Sequence, residues 1–156
     1  MSVFASSGAT LYIGGQNNLT TIVLADMQAD SYVEVGELED LGEFGDQSED
    51  ITFTSLNDGR VRHLKGPRDA GTMPATSGMD MTDAGQAAMD AAEATAHSYN
   101  FKVVLNNETT EAGTGSEHYF TAKVMSKRIQ VGNASNVTRK MYQLGIQTEI
   151  LEVDPT

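Results

Sequence analysis

The chain reads as a mainly β protein, a β-sandwich or barrel with one flanking α-helix. Apolar and polar residues alternate with period two through most of its length. Turn residues punctuate the alternation at short intervals, and a single segment carries small apolar residues at helical spacing. One apolar and one polar side per strand describes sheet that is half buried against something.

In Ala9-Thr10-Leu11-Tyr12-Ile13, the residues Ala9, Leu11 and Ile13 share a face. Gly14-Gly15-Gln16-Asn17-Asn18 reads as a turn, residues 20–25 as a second short strand, and 26–31 as a polar connection. Val33 and Val35 share a face, with Gly36 marking a bulge because Glu37 would otherwise join the apolar side. Residues 39–50 hold too little apolar content for a buried strand and read as a loop or exposed edge. In 51–54, Ile51 and Phe53 point one way and Thr52 and Thr54 the other. Asn57-Asp58-Gly59 predicts a tight turn with residues 60–64 returning against 51–56; the competing reading is one long loop over 57–73, broken by Pro67 and Pro74. A hairpin base with a mobile far end combines the two.

The helix is predicted over about 82–97. Asp80 or Thr82 caps it, Asp83 lies in its first turn, and Ala84, Ala87, Ala88, Ala91 and Ala92 form a stripe of small side chains that Met89 widens. Strands then resume. Tyr99, Phe101, Val103 and Leu105 share a face, residues 106–117 form a polar loop, and Phe120, Ala122 and Val124 alternate with Thr121, Lys123 and Met125. A long last strand sets Tyr142, Leu144, Ile146, Thr148 and Ile150 opposite Gln143, Gln147 and Glu149. There is no internal repeat and no low-complexity segment.

A chain of 156 residues suffices for one domain over 1–156 with a core of its own. That core is lean: no Trp, five Phe and five Tyr, with eight Met and many Ala in their place. Neighbouring subunits would supplement it, although an ordinary domain of modest stability fits the same composition. With no Cys, disulfides and thiolate metal sites are excluded and the redox compartment is left open. No stretch approaches the roughly 20 apolar residues of a membrane span, and the start MSVFASSGATLY has neither a charged nor an apolar leader region. Sequons at Asn18, Asn107, Asn133 and Asn136 therefore carry no weight.

Charge is more informative. The net charge is −12, from 22 acids and 10 bases, and no Lys or Arg precedes Arg60. Nearly all the excess negative charge thus lies in the first 59 residues. An acidic surface disfavours specific binding of nucleic acid, yet a wall that DNA must slide past would need that repulsion. Plain solubility, or a salt-adapted host, explains the same balance.

Residues 32–71 then give a family. "EVGELEDLG", the Thr-bearing "DITFTSL" and the closing "LKGPRDAG" occur in an order that resembles the major tail tube proteins of long-tailed phages, above all the non-contractile lambda-like type. The rest of the chain agrees in layout, with strands, a mid-chain helix and more strands. The resemblance implies a structural virion protein of the tail. It would assemble in the host cytoplasm as stacked hexameric rings forming a hollow conduit for DNA. Its implied partners are other copies of itself and the tape-measure, tail tip and tail terminator proteins, with DNA passing unbound and no membrane, reaction or cofactor involved. Alternatives are the tube of a contractile tail or type VI secretion apparatus, and a small acidic ligand-binding β-barrel.

Candidate chemistry is sparse. His63, His97 and His118 lie far apart and lack metal-ligand spacing; His97 reads better as favourable to the helix dipole. The acidic run 46–50 fails as a calcium loop because Ile51 stands where an EF-hand requires Gly. Serines lack a nucleophile-elbow context, and Gly113-Thr114-Gly115 lacks the Lys of a phosphate loop. The exception is the basic cluster Arg60, Arg62, Lys65 and Arg68, with Asp69 beside it. It is a solvated loop, an anion site, or one half of an inter-subunit contact whose other half is the acidic segment of a second copy. Opposite charges on different surfaces favour head-to-tail association, which generates rings and stacks. Glu34, Glu37, Glu39, Glu43 and Glu49 are the candidate channel-facing acids, with Asp69 a possible intrachain partner for Arg68.

Overall fold

The structure is a computed structural model that describes residues 3–156; the first two residues of the segment read for a leader lie outside it. The strands are β1 (Thr10–Gln16), β2 (Val33–Glu34), β3 (Leu38–Asp40), β4 (Gln47–Thr54), β5 (Val61–Asp69), β6 (Thr72–Gly78), β7 (Tyr99–Val104), β8 (Glu117–Gln130), β9 (Arg139–Ile146) and β10 (Leu151–Val153). Two helices, α1 (Leu24–Ala29) and α2 (Ala84–Glu93), complete the element list. The main sheet runs β2-β1-β7-β8-β9-β6-β3 with β10 added alongside β8, and every pairing is antiparallel. β4 and β5 form a separate two-stranded sheet.

β2 and β3 occupy opposite edges of the main sheet, yet only Val35, Gly36 and Glu37 separate them in the chain. Four residue steps reach at most about 14 Å, so the two edges must lie close together. The sheet is therefore rolled into a barrel, and the three-residue link closes it. The link still hydrogen-bonds to both edges: Val35 N donates to Leu11 O (2.9 Å), and Gly78 N donates to Glu37 O (2.8 Å). Glu37 turns the corner at φ 54°, a left-handed conformation uncommon outside glycine.

Helix α2 clamps the link. Asp83 is the N-cap rather than a first-turn residue, and its carboxylate accepts from both Gln86 N and Gly36 N (each 2.9 Å). Gly36 is needed for this close approach and marks no bulge, because a Cβ there would meet the Asp83 carboxylate. Gln86, fully buried, donates from Nε2 to Gly36 O (3.1 Å) and Gly78 O (2.8 Å) and accepts from Asp80 N (3.1 Å). The buried side of the helix is Gly85, Gln86, Met89 and Ala92. The expected alanine stripe thus faces partly outward: Ala84, Ala87 and Ala91 are exposed, and Ala88 is half-buried. The helix ends at Glu93, short of His97, whose ring meets the Asn18 side chain instead (3.2 Å).

The barrel interior is filled by Leu11, Ile13, Met73, Phe101, Val103, Phe120, Tyr142 and Leu144 against Met89 and Ala92. Phe101 and Phe120 stack with ring centroids 5.9 Å apart. In β8 the alternation changes phase. Val124 pairs with Leu144 but Ser126 pairs with Gln143, so Met125 is an extra, bulged residue. Before it the even residues face inward; after it Lys127 and Ile129 lie opposite Tyr142 and Lys140. Under α2, Asp90 accepts from the almost fully buried Lys140 (2.8 Å) and from the Tyr142 hydroxyl (2.8 Å).

Three expected elements differ. Residues 20–25 do not form a strand: α1 begins at Leu24 and sets Met27 in a small outer cluster with Ile22 and Tyr119. The described residues therefore hold two helices rather than one. The turn expected at Gly14–Asn18 is instead a bulge inside β1, where the register shifts between Ile13 and Gln16. The long last strand breaks after Ile146. Thr148 turns inward to accept from Thr121 N (3.0 Å), and β10 resumes pairing on β8.

Replacing Gln86 by Leu should strand Gly36 O, Gly78 O and Asp80 N, each at about 1–3 kcal/mol if buried. Gly85→Ala should also destabilise, because its Cβ would overlap the Glu34 carbonyl. Denaturant unfolding measures both, and wild-type midpoints would contradict the clamp.

Burial pushes the Asp90 carboxyl up, but hydrogen bonds from Lys140 and Tyr142 and the charges of Lys140 and Lys127 outweigh it, so the net direction is below its ordinary 3.8. Its contribution should be complete above that ordinary value and lost as pH falls through the lower folded value. Asp90→Asn should lower stability at neutral pH and flatten this acid limb of the pH–stability curve.

Candidate functional site: a projecting arm and the barrel mouth

The β4–β5 hairpin leaves the barrel as an arm. Its strands pair along their length from Gln47↔Asp69 to Thr54↔Val61, so the hairpin starts well before residue 57 and is paired up to its turn. The turn is the expected one: Gly59 has φ 65°, its N donates to Ser55 O (2.8 Å), and Arg60 N donates to the Asp58 carboxylate (2.9 Å). Register shifts between Ser48 and Asp50 opposite Arg68 and Lys65, leaving Pro67 in a bulge where no ladder donor is required.

Residues directly opposite in an antiparallel pair share a face. Ile51, Leu64, Phe53 and Arg62 therefore form one side of the arm, and Asp50, Lys65, Thr52, His63, Thr54 and Val61 the other. On the first side Ile51, Phe53 and Leu64 are 45 %, 58 % and 58 % exposed, and neither strand packs substantially on another element. Three adjacent large apolar side chains on an isolated two-stranded ribbon form an uncovered surface.

The arm is attached through glycines. Gly45 (φ 152°) precedes β4 and Gly71 (φ 70°) follows β5, and neither has an atom within 4 Å of where a Cβ would stand. Backbone conformation rather than crowding calls for glycine at both roots. Beneath the roots lies an open polar hollow of about 730 Å³ between residues 43–49 and 67–72. Arg68 reaches across to Asp46 (2.9 Å). Just inside, Phe44 packs on Phe120 (6.2 Å between rings) and edge-on to His118 (5.4 Å).

The four bases of the cluster have different partners. Arg62 pairs with Asp58 (2.8 Å) and Arg68 with Asp46, while Asp69 accepts from Gly71 N (2.8 Å) and does not neutralise Arg68. Among the described residues no carboxylate lies within 4 Å of the Arg60 guanidinium or the Lys65 ammonium. The five acids are dispersed. Glu34 is exposed beside Tyr12 across the β1–β2 pair, Glu37 sits in the closing link, and Glu39 in β3 bonds Arg139. Glu43 lies in the loop before the arm, and Glu49 is within β4.

The histidines do not converge. His63 bonds Asp50 on the exposed polar side of the arm (3.0 Å). His118 has no hydrogen-bond partner on either ring nitrogen; burial pushes its pKa down, and Glu152 at 3.8 Å only partly opposes this. Among the described residues no three His, Asp or Glu side chains gather as a metal site, and no helix is long and apolar enough to cross a membrane. Sequence reasoning missed the apolar side of the arm as a surface, although the alternation that placed Ile51 and Phe53 together already contained it.

A rolled antiparallel barrel with a clamping helix and a projecting hairpin is a tail-tube-like fold. No family model matches the chain, and no curated protein matches it. Solved structures share the fold. A chain from the baseplate of the anti-feeding prophage aligns with TM-score 0.72 at 14% identity, covering 99% of this chain and 98% of its own. The SPP1 tail tube aligns with TM-score 0.62 at 14% identity, covering 94% of this chain and 76% of its own. The sheath/tube terminator of an extracellular contractile injection system aligns with TM-score 0.65 at 9% identity, covering 98% of each.

If the arm is held only at its roots, its amides in the unassembled protein should exchange much faster than those of β7, β8 and β9. Replacing Gln47–Asp69 by a two-residue Asn-Gly turn should leave the barrel folded. Equal protection of arm and barrel, or loss of cooperative melting in the deletion, would contradict this.

Proposed function

We propose that this chain is a tail tube protein: copies associate as hexameric rings, and the rings stack into a hollow conduit in the tail of a virion. The single observation that carries the reading is the arm, an amphipathic hairpin with an uncovered apolar side on a closed barrel of tail-tube-like fold. The two edge strands of the barrel are drawn together at the link, whereas the arm packs on little else and is left to make long-range contacts. In this reading the Arg60–Arg68 segment meets a neighbouring copy, with the unpaired Arg60 and Lys65 the charges available to it and Arg68 holding the arm root to Asp46. Six-fold repetition multiplies the net charge of −12, and the resulting field keeps DNA from adhering to the wall. Of the five acids, Glu34 and Glu37 suit that wall best, since Glu39 is engaged by Arg139 and Glu43 and Glu49 belong to the arm and its root. The conduit carries DNA without a reaction or cofactor, is built in the host cytoplasm, and ends on tape-measure, tip and terminator proteins.

The lambda-like, non-contractile form follows from the sequence resemblance. The tube of a contractile apparatus is the second reading. It is favoured by the near-complete mutual coverage with the anti-feeding prophage chain, against 76% of the SPP1 chain. A sheath protein that co-purifies with the tubes would decide for it.

Concentrated purified protein should form rings or tubes under negative stain, alone or with tip and tape-measure proteins. Arg60→Glu combined with Lys65→Glu should reduce that assembly while the monomer melts as before. A wild-type protein that stays monomeric under every one of these conditions is incompatible with the reading.

A further inference from the structure

We propose that the apolar side of the arm seats in the cleft at the barrel mouth of a second copy of this chain, so that apolar burial rather than ion pairing holds successive copies together. This rests on the self-assembly reading above and adds to it the seat and the force.

The cleft lies between the strand–loop segment 38–44 and the ends of β1 and β7, and has a volume of about 420 Å³. Leu38, Leu41, Phe44 and Leu105 line it, all only partly buried although they pack on the core. Its rim carries Glu39 and Asp40. The barrel therefore leaves an open apolar notch with an acidic lip. The arm is its complement: Ile51, Phe53 and Leu64 lie together on one side with Arg62, and Arg60, whose guanidinium has no carboxylate within 4 Å, stands at the turn end of the same strand, while Lys65 lies on the other side. Glu39 is taken by Arg139, but Asp40 and Glu43 in the same segment have no base within 4 Å among the described residues, so the charges match across the contact.

A chain cannot fill its own notch this way. Phe53 stands eight residues beyond Gly45, about 26 Å along an extended strand, whereas Leu41 and Phe44 lie on the barrel side of that glycine. Arm and notch are thus different surfaces of one molecule. A contact between them is heterologous, and each copy that donates an arm still offers an empty notch, which propagates the assembly without limit. Buried aromatic anchors dominate such contacts, while rim charges set orientation and encounter rate.

The absence of native cysteine allows a direct test. Phe53→Cys combined with Leu41→Cys should, on mild oxidation of assembled protein, give a covalent ladder of dimers, trimers and longer chains that either single variant fails to give. Phe53→Ser should raise the protein concentration needed for assembly by about tenfold or more, with melting of the barrel unchanged. Asp40→Lys should weaken assembly, and Arg60→Glu in the same chain should restore it. If wild-type protein assembles but the double-cysteine variant gives no ladder, or Phe53→Ser assembles as readily as wild type, the seat is wrong and the tube reading stands. If wild-type protein forms no assembly at all, both are overturned.

Discussion

The fold depends on closing a rolled sheet with three residues. Val35, Gly36 and Glu37 must carry the chain from one sheet edge to the other, and that distance fixes how tightly the barrel rolls. Nothing in such a short link could bury apolar surface sufficient to hold it there. The holding is done by polar groups at the start of α2, where Asp83 and Gln86 bind the link and the end of β6 at once. Gly36 and Gly85 are the space those contacts require. Met89 and Ala92 then add the helix to the interior, so that one short helix serves as both clasp and core. The left-handed backbone of Glu37 is the local strain that this closure imposes.

Closure also divides the labour of the molecule. A barrel with both edges tied has little open ladder to offer a partner, and its interior is full of side chains. What remains for recognition is the arm, which packs on little else, and the notch where the rolled edges meet. The chain's charge follows the same division: the run from Glu37 to Asp50 is acidic and belongs to the notch and the arm root, while the first bases of the sequence stand on the returning strand of the arm. The sequence resemblance drew on this same stretch, which links the edge strand, the notch and the arm.

Much of this was legible before any coordinates. The alternation in 99–105, 120–124 and 142–146 identified the side of β7, β8 and β9 that meets the main core correctly, because a residue such as Phe101 or Leu144 has one place to go when one face of a sheet is dry. The turn at Asn57–Gly59 was legible because a left-handed glycine is a local requirement. Helix α1 was not: six residues with no side-chain cap show less than two turns of periodicity, and only the tertiary contact of Met27 with Tyr119 defines it. The inward side of α2 was misread because a buried glutamine looks polar in sequence and satisfied only in space. The partners of Arg62 and Arg68 also depend on cross-strand register, which sequence does not print; of the two, only Asp58 was near enough in the chain to be guessed.

The bulge at Met125 imposes a parity rule on the longest strand. Upstream of it inward positions are even; downstream they are odd, and the downstream set includes Lys127, which approaches Asp90 to 3.9 Å. Length in this strand thus decides which face each later side chain takes, as the length of a loop does not. Deleting Met125 would remove only the bulge and keep Lys127 opposite Tyr142, whereas deleting Lys127 would turn Arg128 inward in its place and put every later residue of the strand on the other face. A one-residue change within the paired length of β8 therefore moves every side chain beyond it to the opposite face, except where it adds or removes a bulge.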